Sequence, residues 1–443
     1  MSLHVGVVSL GCAKNLVDTE LMLGKLRQAG FTITSREDEA DILIVNTCGF
    51  INSAKEEAID TILSLARYRE KGSCRALLVA GCLAQRYGRE LLAEMPEIDG
   101  LIGTGEVSRV VEAVRAVLEG ERICLAGKPG YLPGPGEQRL RTTPPYLAYV
   151  KIAEGCENRC TYCAIPDLRG AYRSRPTEEL ADEVRLLSGE GVREVILVAQ
   201  DTTRYGLDLY GKLSLAALLK CLGRIEGPDW YRILYCYPAG IDDDLISAIA
   251  EEEKVCKYID LPLQHISDKI LRLMNRRGTS RQIAGLIEKM RAGIPGLTLR
   301  TTFLVGFPGE TEEDFKQVLD FMEEMRFERL GVFAYSREEG TPAAGLPGQV
   351  PEEIKQERLD RAMALQQRIS CVNNLGLAGT QARVLVEGRQ PGNGGLYYGR
   401  SGAEAPDIDG KIVFSARAGL SPGDLVTVRI TGARQYDLTG ELI

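Results

Sequence analysis

Three cysteines on one short segment carry the clearest chemistry in this sequence: Cys156, Cys160 and Cys163, here called the loop triad. Their C-x3-C-x2-C spacing follows directly on an apolar, strand-like segment at 146–152. Three thiolates on one loop can bind three irons of a cubane iron–sulfur cluster and leave the fourth iron open to a small molecule. Zinc would need a fourth ligand at metal spacing, and no further Cys or His pair lies nearby. The alternative is three structural cysteines, although clustered thiols in a reducing compartment are rarely idle.

A second set of cysteines, here called the sheet triad, is spread through the first hundred residues. Cys12, Cys48 and Cys82 each stand just beyond an apolar, strand-like segment. In a doubly wound parallel sheet the carboxyl ends of the strands open on one crevice, where the three thiols would converge. Three thiolates without a histidine again indicate an iron–sulfur cluster with one open iron. The alternative is packed thiols without a ligand role, which is what we expect of the other six cysteines.

Residues at the ends of the later strands are candidates for binding a cofactor. The full candidate set is Tyr162, Arg173, Gln200, Gln264, Gly306 and Glu310. The bare backbone at Gly306 could admit a flat adenine, Gln264 could bond a ribose, and Gln200 could hold an amino group. The alternative for the 302–310 segment is a simple strand-to-helix turn. His265, next to Gln264, is equally well explained as a structural residue.

A cluster of arginines follows the loop triad. Arg173, which lies between Arg169 and Arg175, could form a bidentate hydrogen bond with a carboxylate of a cofactor or substrate. A solvated basic turn is the alternative explanation.

The order of strand and helix patterns places these residues in an α/β protein of three parts. Residues 1–125 alternate apolar strands with amphipathic helices, which predicts a doubly wound parallel sheet. A Gly/Pro-rich linker follows at 126–145. Residues 146–372 repeat the alternation six times and end in a long polar helix, which predicts an open, partial (β/α)6 barrel, since a closed barrel needs eight units. Short alternating runs between glycine-rich turns at 373–443 predict a small antiparallel β-barrel.

Composition and charge restrict the classes of function. The net charge of −8 argues against a general polyanion binder and leaves room for a basic partner. From residue 373 onward seven basic and seven acidic side chains cancel, which is a poor electrostatic footprint for phosphate. No apolar run approaches the ~18 residues of a membrane span, and no signal peptide precedes the first strand. We therefore expect a cytoplasmic monomer whose terminal barrel contacts protein rather than nucleic acid.

The two triads, the strand–helix core and the terminal barrel together resemble the methylthiotransferase family of radical S-adenosylmethionine (SAM) enzymes over the whole chain. The spacing of the loop triad is similar to that of radical SAM enzymes, and the terminal barrel resembles a TRAM domain. One branch of this family modifies adenosine in tRNA. The other modifies an aspartate of the small-subunit ribosomal protein S-twelve.

Several stretches look like the ribosomal branch. After Cys12 the chain reads Ala-Lys, where the tRNA branch usually has Gln-Met. The other stretches that resemble this branch lie at 46–51, 200–211 and 405–410. Two departures are mild: Ala13 stands where proline is common, and Asp407 where glutamate is common.

The resemblance implies methylthiolation of the β-carbon of an aspartate in protein S-twelve, with two SAM molecules as methyl donor and radical source. It implies two 4Fe–4S clusters. The cluster on the loop triad would bind and reductively cleave SAM, and the cluster on the sheet triad would present the sulfur. A small-protein electron donor is a further expected partner. Two alternatives remain: tRNA adenosine methylthiolation by the same chemistry, and a non-catalytic iron–sulfur scaffold or electron carrier.

Overall fold

The computed structural model describes residues 3–392, 395–417 and 419–443, and its first part is a parallel sheet covered by helices. Its strands are β1 (His4–Ser9), β2 (Thr32–Thr34), β3 (Ile42–Thr47), β4 (Ala76–Gly81), β5 (Gly100–Ile102) and β6 (Ile123–Leu125). Its helices are α1 (Ala13–Gln28), α2 (Asn52–Ala66), α3 (Tyr68–Lys71), α4 (Cys82–Tyr87), α5 (Arg89–Glu94) and α6 (Val110–Leu118). The strand order is β2-β1-β3-β4-β5-β6, and every pairing is parallel.

The N-terminal sheet is buried on both faces. Strands β3 and β4 are buried along their whole length, which is why their sequences are continuous apolar runs. Helices α1 and α6 cover one face, and α2 and α4 cover the other. The doubly wound arrangement is therefore confirmed.

Local details of this sheet differ from the sequence pattern. The three-residue edge strands β2 and β6 were not predicted, because such short strands leave no readable alternation. The amphipathic pattern at 84–95 predicts one helix, but the structure has two, α4 and α5, because Gly88 between them has a positive φ of 49°.

The central part is an open sheet of six parallel strands, in the order β14-β13-β12-β11-β10-β7. Strands of the central part are β7 (Leu147–Lys151), β8 (Ala153–Glu154), β9 (Arg173–Ser174), β10 (Glu194–Val198), β11 (Trp230–Ile233), β12 (Val255–Asp260), β13 (Thr298–Val305) and β14 (Arg329–Ala334). Helices of the central part are α7 (Ile165–Arg169), α8 (Thr177–Gly189), α9 (Leu207–Tyr210), α10 (Leu215–Gly223), α11 (Asp243–Glu251), α12 (Asp268–Leu273), α13 (Ser280–Gly293), α14 (Glu312–Met325) and α15 (Glu352–Leu375). Successive strands are neighbours, as in the partial barrel that the sequence predicts.

The two faces of the central sheet have different partners. One face packs against the surrounding helices, among them α8, α10 and α14. The other face, with Tyr149, Val198 and Trp230, packs against α1 and against Leu385 and Ala405 of the C-terminal segment. The inside of the open barrel is therefore closed off by the other two parts of the chain.

A buried ion cluster joins the C-terminal segment to the central sheet. Glu194 on β10 accepts hydrogen bonds from Arg232 and from Arg400, each at 2.7 Å. All three side chains are at most 1% exposed. Because an unpaired buried charge is costly, this contact fixes the terminal barrel to the sheet.

The C-terminal part is a closed barrel of five strands. They are β15 (Gln381–Arg389), β16 (Leu396–Arg400), β17 (Ile412–Ser415), β18 (Leu425–Ala433) and β19 (Leu438–Leu442). Around the barrel they follow the order β15-β16-β17-β19-β18. The small β-barrel that the sequence predicts is confirmed, and four of its five pairings are antiparallel, whereas β17 and β19 run parallel. A ring with an odd number of strands cannot alternate direction throughout, so one parallel pair is a geometric necessity.

Within the residues that the structure describes, no helix is long and apolar enough to cross a bilayer.

Candidate iron–sulfur and cofactor site

The loop triad lies on a loop whose two ends are tied together. Strands β8 and β9, on either side of the loop, pair through Ala153 with Ser174 and Glu154 with Arg173. Just inside this pair, the Cys156 amide donates to the Gly170 carbonyl at 3.1 Å. We call this pair of two-residue strands the β8–β9 clasp, and it restricts the directions in which the three thiols can point. Strands of two residues are too short to be predicted from sequence periodicity.

The loop triad lines a cavity of about 340 Å³. The other residues around it are Glu157, Arg159, Pro166, Asp167, Gly170, Ala171 and Pro342. The tight start of the loop depends on Gly155, which has a φ of +85° and lies against the chain at Ala171. A Cβ at this position would stand 2.1 Å from the Ala171 carbonyl oxygen, so only glycine fits.

The sheet triad is assembled by strand order. Cys12, Cys48 and Cys82 follow β1, β3 and β4, which are adjacent strands of one parallel sheet. Asn15 on α1 connects their ends: its side-chain amide donates to the Thr47 carbonyl at 2.9 Å, and the Cys82 thiol lies 3.8 Å from its Oδ1. The predicted convergence of the three strand ends is therefore present.

The donor set of each triad suits an iron–sulfur cluster. Among the described residues, no group of three Cys, His, Asp or Glu side chains is placed to hold a single metal ion. A mononuclear zinc site would bring all its sulfurs to about 2.3 Å from one atom. In a cubane cluster each thiolate binds a different iron, so the sulfurs stand further apart and one iron keeps no protein ligand. Each triad offers three thiols, the number that leaves one iron of a cubane cluster without a protein ligand.

The two triads differ in their electrostatic surroundings. Burial raises the pKa of the Cys156 thiol to about 11 and that of the Cys48 thiol to about 11. Burial would also raise the pKa of Cys12, but Lys14 and Arg169 beside it lower that pKa overall. Since thiols bind metal as thiolates, these two buried cations favour the ligating form of Cys12, whereas burial raises the pKa of the Cys82 thiol as it does that of Cys48.

A network of buried charges lies between the triads, and Arg169 is at its centre. This guanidinium, 2% exposed, donates to Asp18 at 2.6 Å and to Glu154 at 3.2 Å. Its second amino group lies 3.5 Å from the Cys82 sulfur. Lys151 completes the network with ion pairs to the same two carboxylates. Arg169 is therefore not a solvated basic turn, and it connects the cysteine loop to the sheet triad.

The environment of Glu154 confirms how tightly this network is coupled. Burial alone would raise the pKa of its carboxyl, but Lys151 and Arg169 lower it to about 2. The sequence analysis did not identify Glu154, Lys151 or Asp18. A lysine and a glutamate three residues apart at the end of an apolar strand were the available signal, because buried charges need partners.

Three of the candidate cofactor residues lie around one aromatic group. The Tyr162 ring packs edge-on against Phe307, with ring centroids 6.5 Å apart. Gly306 precedes that phenylalanine with a φ of +73°. The buried Glu310 carboxylate accepts the amides of Gly306 and Phe307 at 2.9 and 3.2 Å and pairs with Arg358 at 2.8 Å. Glu310 thus holds the turn in shape from behind.

The other candidates are spread along the same mouth of the sheet. The Gln200 amide donates to Glu154, and its buried Oε1 has no hydrogen-bond partner among the described residues. Gln264 has a φ of +71° and bridges to Phe303 through its backbone. Arg173 donates to the Ala171 carbonyl at 2.5 Å, and its buried Nε is unpaired in the part of the chain that is described. Unpaired buried polar atoms at Gln200 and Arg173 leave hydrogen-bonding capacity for a polar ligand.

His265 and Arg175 have structural partners. His265 is fully buried, and its Nδ1 accepts the Ser267 amide at 2.9 Å. Arg175 donates to Glu183 at 2.5 Å. The structural explanation holds for both residues.

Comparisons with known proteins agree with this arrangement. Three family models match the chain: the "Uncharacterized protein family UPF0004" at residues 4–103, the Radical SAM superfamily at 150–322 and the TRAM domain at 378–443. The "Ribosomal protein uS12 methylthiotransferase RimO" of Pelotomaculum thermopropionicum is 59% identical over 443 residues, with 100% of both chains covered. A protein of the same name from Desulforamulus reducens is 56% identical over 439 residues, with 99% of both chains covered.

A solved structure shares the fold at low identity. The radical SAM methyltransferase TsrM from Kitasatospora setae matches with a TM-score of 0.58 and 17% identity, covering 77% of this chain and 74% of that one. This likeness concerns the fold alone.

The open parallel barrel, the loop triad and these matches define a radical SAM methylthiotransferase, an enzyme that uses SAM and an iron–sulfur cluster. Within this class, the chain belongs to the ribosomal protein uS12 methylthiotransferase (RimO) family. The family resemblance read from the cysteine motifs is confirmed, and so is the TRAM-like terminal barrel.

Proposed function

We propose that this protein methylthiolates the β-carbon of an aspartate in ribosomal protein uS12. The observation that carries the proposal is the packing of the sheet triad against the segment that follows the loop triad: Cys82 packs on Ala164 and Leu168, directly after Cys163. One triad alone would suit many radical SAM reactions. Two triads on one side of the molecule suit a reaction that needs both a radical and a donated sulfur.

In this proposal each triad holds a 4Fe–4S cluster. Cys156, Cys160 and Cys163 would hold the cluster whose chemistry with SAM provides for hydrogen abstraction, and Cys12, Cys48 and Cys82 would hold the cluster that provides the sulfur to be methylated and transferred. A side-chain base could not remove a proton from the unactivated β-carbon of aspartate, so cofactor chemistry is required. Two SAM molecules serve as methyl donor and radical source, and a small redox protein supplies the electron.

The chain's own residues position and enclose the reactants. The β8–β9 clasp and Gly155 orient the loop thiols. The unpaired Oε1 of Gln200 and Nε of Arg173 offer one acceptor and one donor to polar groups of SAM. Tyr162 and Phe307 give an apolar wall next to the backbone turn at Gly306. The inner face of the central sheet is covered by α1 and by Leu385 and Ala405 of the C-terminal segment, which excludes water from that face.

The choice of a protein substrate is supported by charge and by the relatives. The described relatives are named for ribosomal protein uS12. The seven basic and seven acidic residues from 373 onward leave the terminal barrel neutral, and the whole chain carries −8. Such a surface attracts a basic ribosomal protein and repels the phosphates of tRNA.

The deciding experiment offers both substrates together. The reconstituted enzyme is incubated with SAM, a reductant, ribosomal protein uS12 and unmodified tRNA, and both products are examined by mass spectrometry. We expect a methylthio mass gain on one aspartate of uS12 and none on adenosine. Methylthioadenosine in the tRNA without a change in the protein would reject the substrate assignment.

A further inference from the structure

The turn that ends α12 holds the cysteine loop from one side. Thr161, inside the loop triad, donates its amide to the Met274 carbonyl at 3.0 Å and its hydroxyl to the Leu273 carbonyl at 2.8 Å. The Asn275 side chain donates to the Arg159 carbonyl at 2.9 Å. The loop and this turn are therefore joined by three hydrogen bonds, and the residues that follow the turn are brought beside the triad.

Arg276 is a buried cation at this turn, and its partners are neutral groups. Only 9% of it is exposed. Its Nη2 donates to the Pro262 carbonyl at 2.5 Å, and its Nη1 lies 3.4 Å from the Tyr162 hydroxyl. Its guanidinium carbon lies 4.4 Å from the centroid of the Tyr237 ring. Among the described residues no carboxylate pairs with Arg276, whereas the arginine beside the sheet triad pairs with two. The groups near Arg276 that can carry a negative charge are the loop thiols.

The Tyr162 hydroxyl connects Arg276 to one of these thiols. Burial raises the pKa of this hydroxyl well above its usual value, Arg276 opposes that rise, and the hydrogen-bonded sulfur of Cys160 adds to it. Burial likewise raises the pKa of the Cys163 thiol, and Arg276 is among the groups that lower it. Two of the three loop thiols are therefore within electrostatic reach of the guanidinium, one of them through a hydroxyl that can donate to a thiolate.

Such an arrangement acts on how easily a bound cluster is reduced. Hydrogen bonds to the sulfurs and nearby charges are among the factors that set the reduction potential of an iron–sulfur cluster. Reduction would place one more negative charge next to Arg276, and a buried cation lowers the energy of the more negative state. The other charged residues around the cavity, Glu157, Arg159 and Asp167, are exposed, so water screens their charges.

We infer that Arg276 is a positioning residue that makes the loop-triad cluster easier to reduce. Its guanidinium holds the Tyr162 hydroxyl toward Cys160 and places a positive charge beside the triad. The inference rests on the proposed function, in which a small redox protein supplies the electron, and it adds the group that favours the arrival of that electron. One electron leaves the redox protein, which is oxidised, and enters the cluster, which is reduced; no bond of the chain forms or breaks.

The test measures reduction of the loop-triad cluster without any substrate. Reconstituted enzyme is held at a series of applied potentials, and the reduced cluster is followed by electron paramagnetic resonance. The loop-triad signal is the one absent from the variant with Cys156, Cys160 and Cys163 replaced by alanine. In Arg276→Gln the ratio of reduced to oxidised cluster at a given potential should fall about tenfold, which is about 59 mV for one electron. Arg276→Lys keeps the charge and should recover most of this ratio, whereas Tyr162→Phe removes only the hydroxyl and should lower the ratio about threefold.

Arg277→Gln is the matched control. It removes the same charge from the next residue, whose side chain is exposed, so the ratio should stay that of the unmutated enzyme. Iron content is measured in every variant, and each should keep its iron. An unchanged ratio in Arg276→Gln would overturn the inference, as would an equal fall in Arg277→Gln. Loss of the loop-triad iron from Arg276→Gln would also overturn it, since Arg276 would then hold the loop rather than favour the reduced state.

The outcome is separate from the choice of substrate. If no signal is absent from the variant without the loop cysteines, the cluster assignment in the proposed function fails, and the inference fails with it. If the enzyme modifies tRNA instead of uS12, only the substrate assignment fails, and the role of Arg276 stands.

Discussion

The loop triad and the sheet triad present the same three thiols by opposite means. The loop triad lies within eight residues of sequence and needs only a clasped loop. The sheet triad spans 71 residues and exists only because β1, β3 and β4 are neighbours in one parallel sheet. The comparison teaches that a local motif depends on its own turn geometry, whereas a distributed site depends on the whole register of a sheet.

The two triads are also joined differently to the rest of the molecule. The loop triad borders an open cavity, with Glu157, Arg159 and Asp167 around it. The sheet triad lies against α7 of the central part, where Cys82 packs on Ala164 and Leu168. A change at the sheet triad is therefore expected to disturb the contact between the two parts, and a change at the loop triad is not.

The largest expected effect comes from removing the loop triad. In a chain with Cys156, Cys160 and Cys163 replaced by alanine, SAM cleavage should be abolished, because the loop triad would hold the iron at which SAM binds. About half of the iron and sulfide should remain, on the sheet triad. Iron and sulfide assays with chromatography of 5′-deoxyadenosine check this. Full retention or full loss of iron would contradict the existence of two independent sites.

Removing the sheet triad should separate the two halves of the reaction. With Cys12, Cys48 and Cys82 replaced by alanine, 5′-deoxyadenosine should still form, since this needs only the loop triad. Methylthiolated uS12 should be absent from the mass spectrum. Normal product from this variant would show that the sulfur does not come from the sheet triad.

A smaller effect should follow from disturbing the sheet triad without touching a thiol. Gly81, just before Cys82, has a φ of +90°, and a Cβ there would lie 2.3 Å from Oδ1 of Asn46. Gly81→Ala should cost about 3 kcal/mol in the free energy of unfolding and lower iron binding at the sheet triad, while SAM cleavage persists. Denaturant unfolding of the apoprotein and iron assays measure the two effects.

Gly30→Ala is the matched control for this substitution. Gly30 has nearly the same φ, +91°, but nothing lies within 4 Å of the position a Cβ would take. The free energy of unfolding of the Gly30→Ala variant should fall by only about 1 kcal/mol, because alanine is disfavoured in this backbone conformation, and the variant should keep all its iron. Equal losses of stability and iron in both variants would mean that the packing around Gly81 does not shape the triad.

Much of the fold was readable because its signals are periodic. The apolar runs of β3 and β4 and the amphipathic pattern of α6 follow from burial on one or two faces. Edge strands of three residues and the two-residue clasp β8–β9 carry no such period and were missed. The parallel pair β17–β19 was missed for a different reason, since strand direction depends on closing a ring of five.

The sequence by itself determined which six cysteines are the candidate cluster ligands. Thiolate chemistry is a property of residue type, and the spacing of the loop triad is local. Sequence patterning also determined which strand ends would meet, since parallel strands share one edge. Only the tertiary structure decided the charges between the triads. The pairing of Arg169 with Asp18 and Cys82, and the contact of Lys14 with Tyr235, join positions 87 to 221 residues apart. Contacts across such separations depend on how the packed parts meet, and no local pattern encodes them.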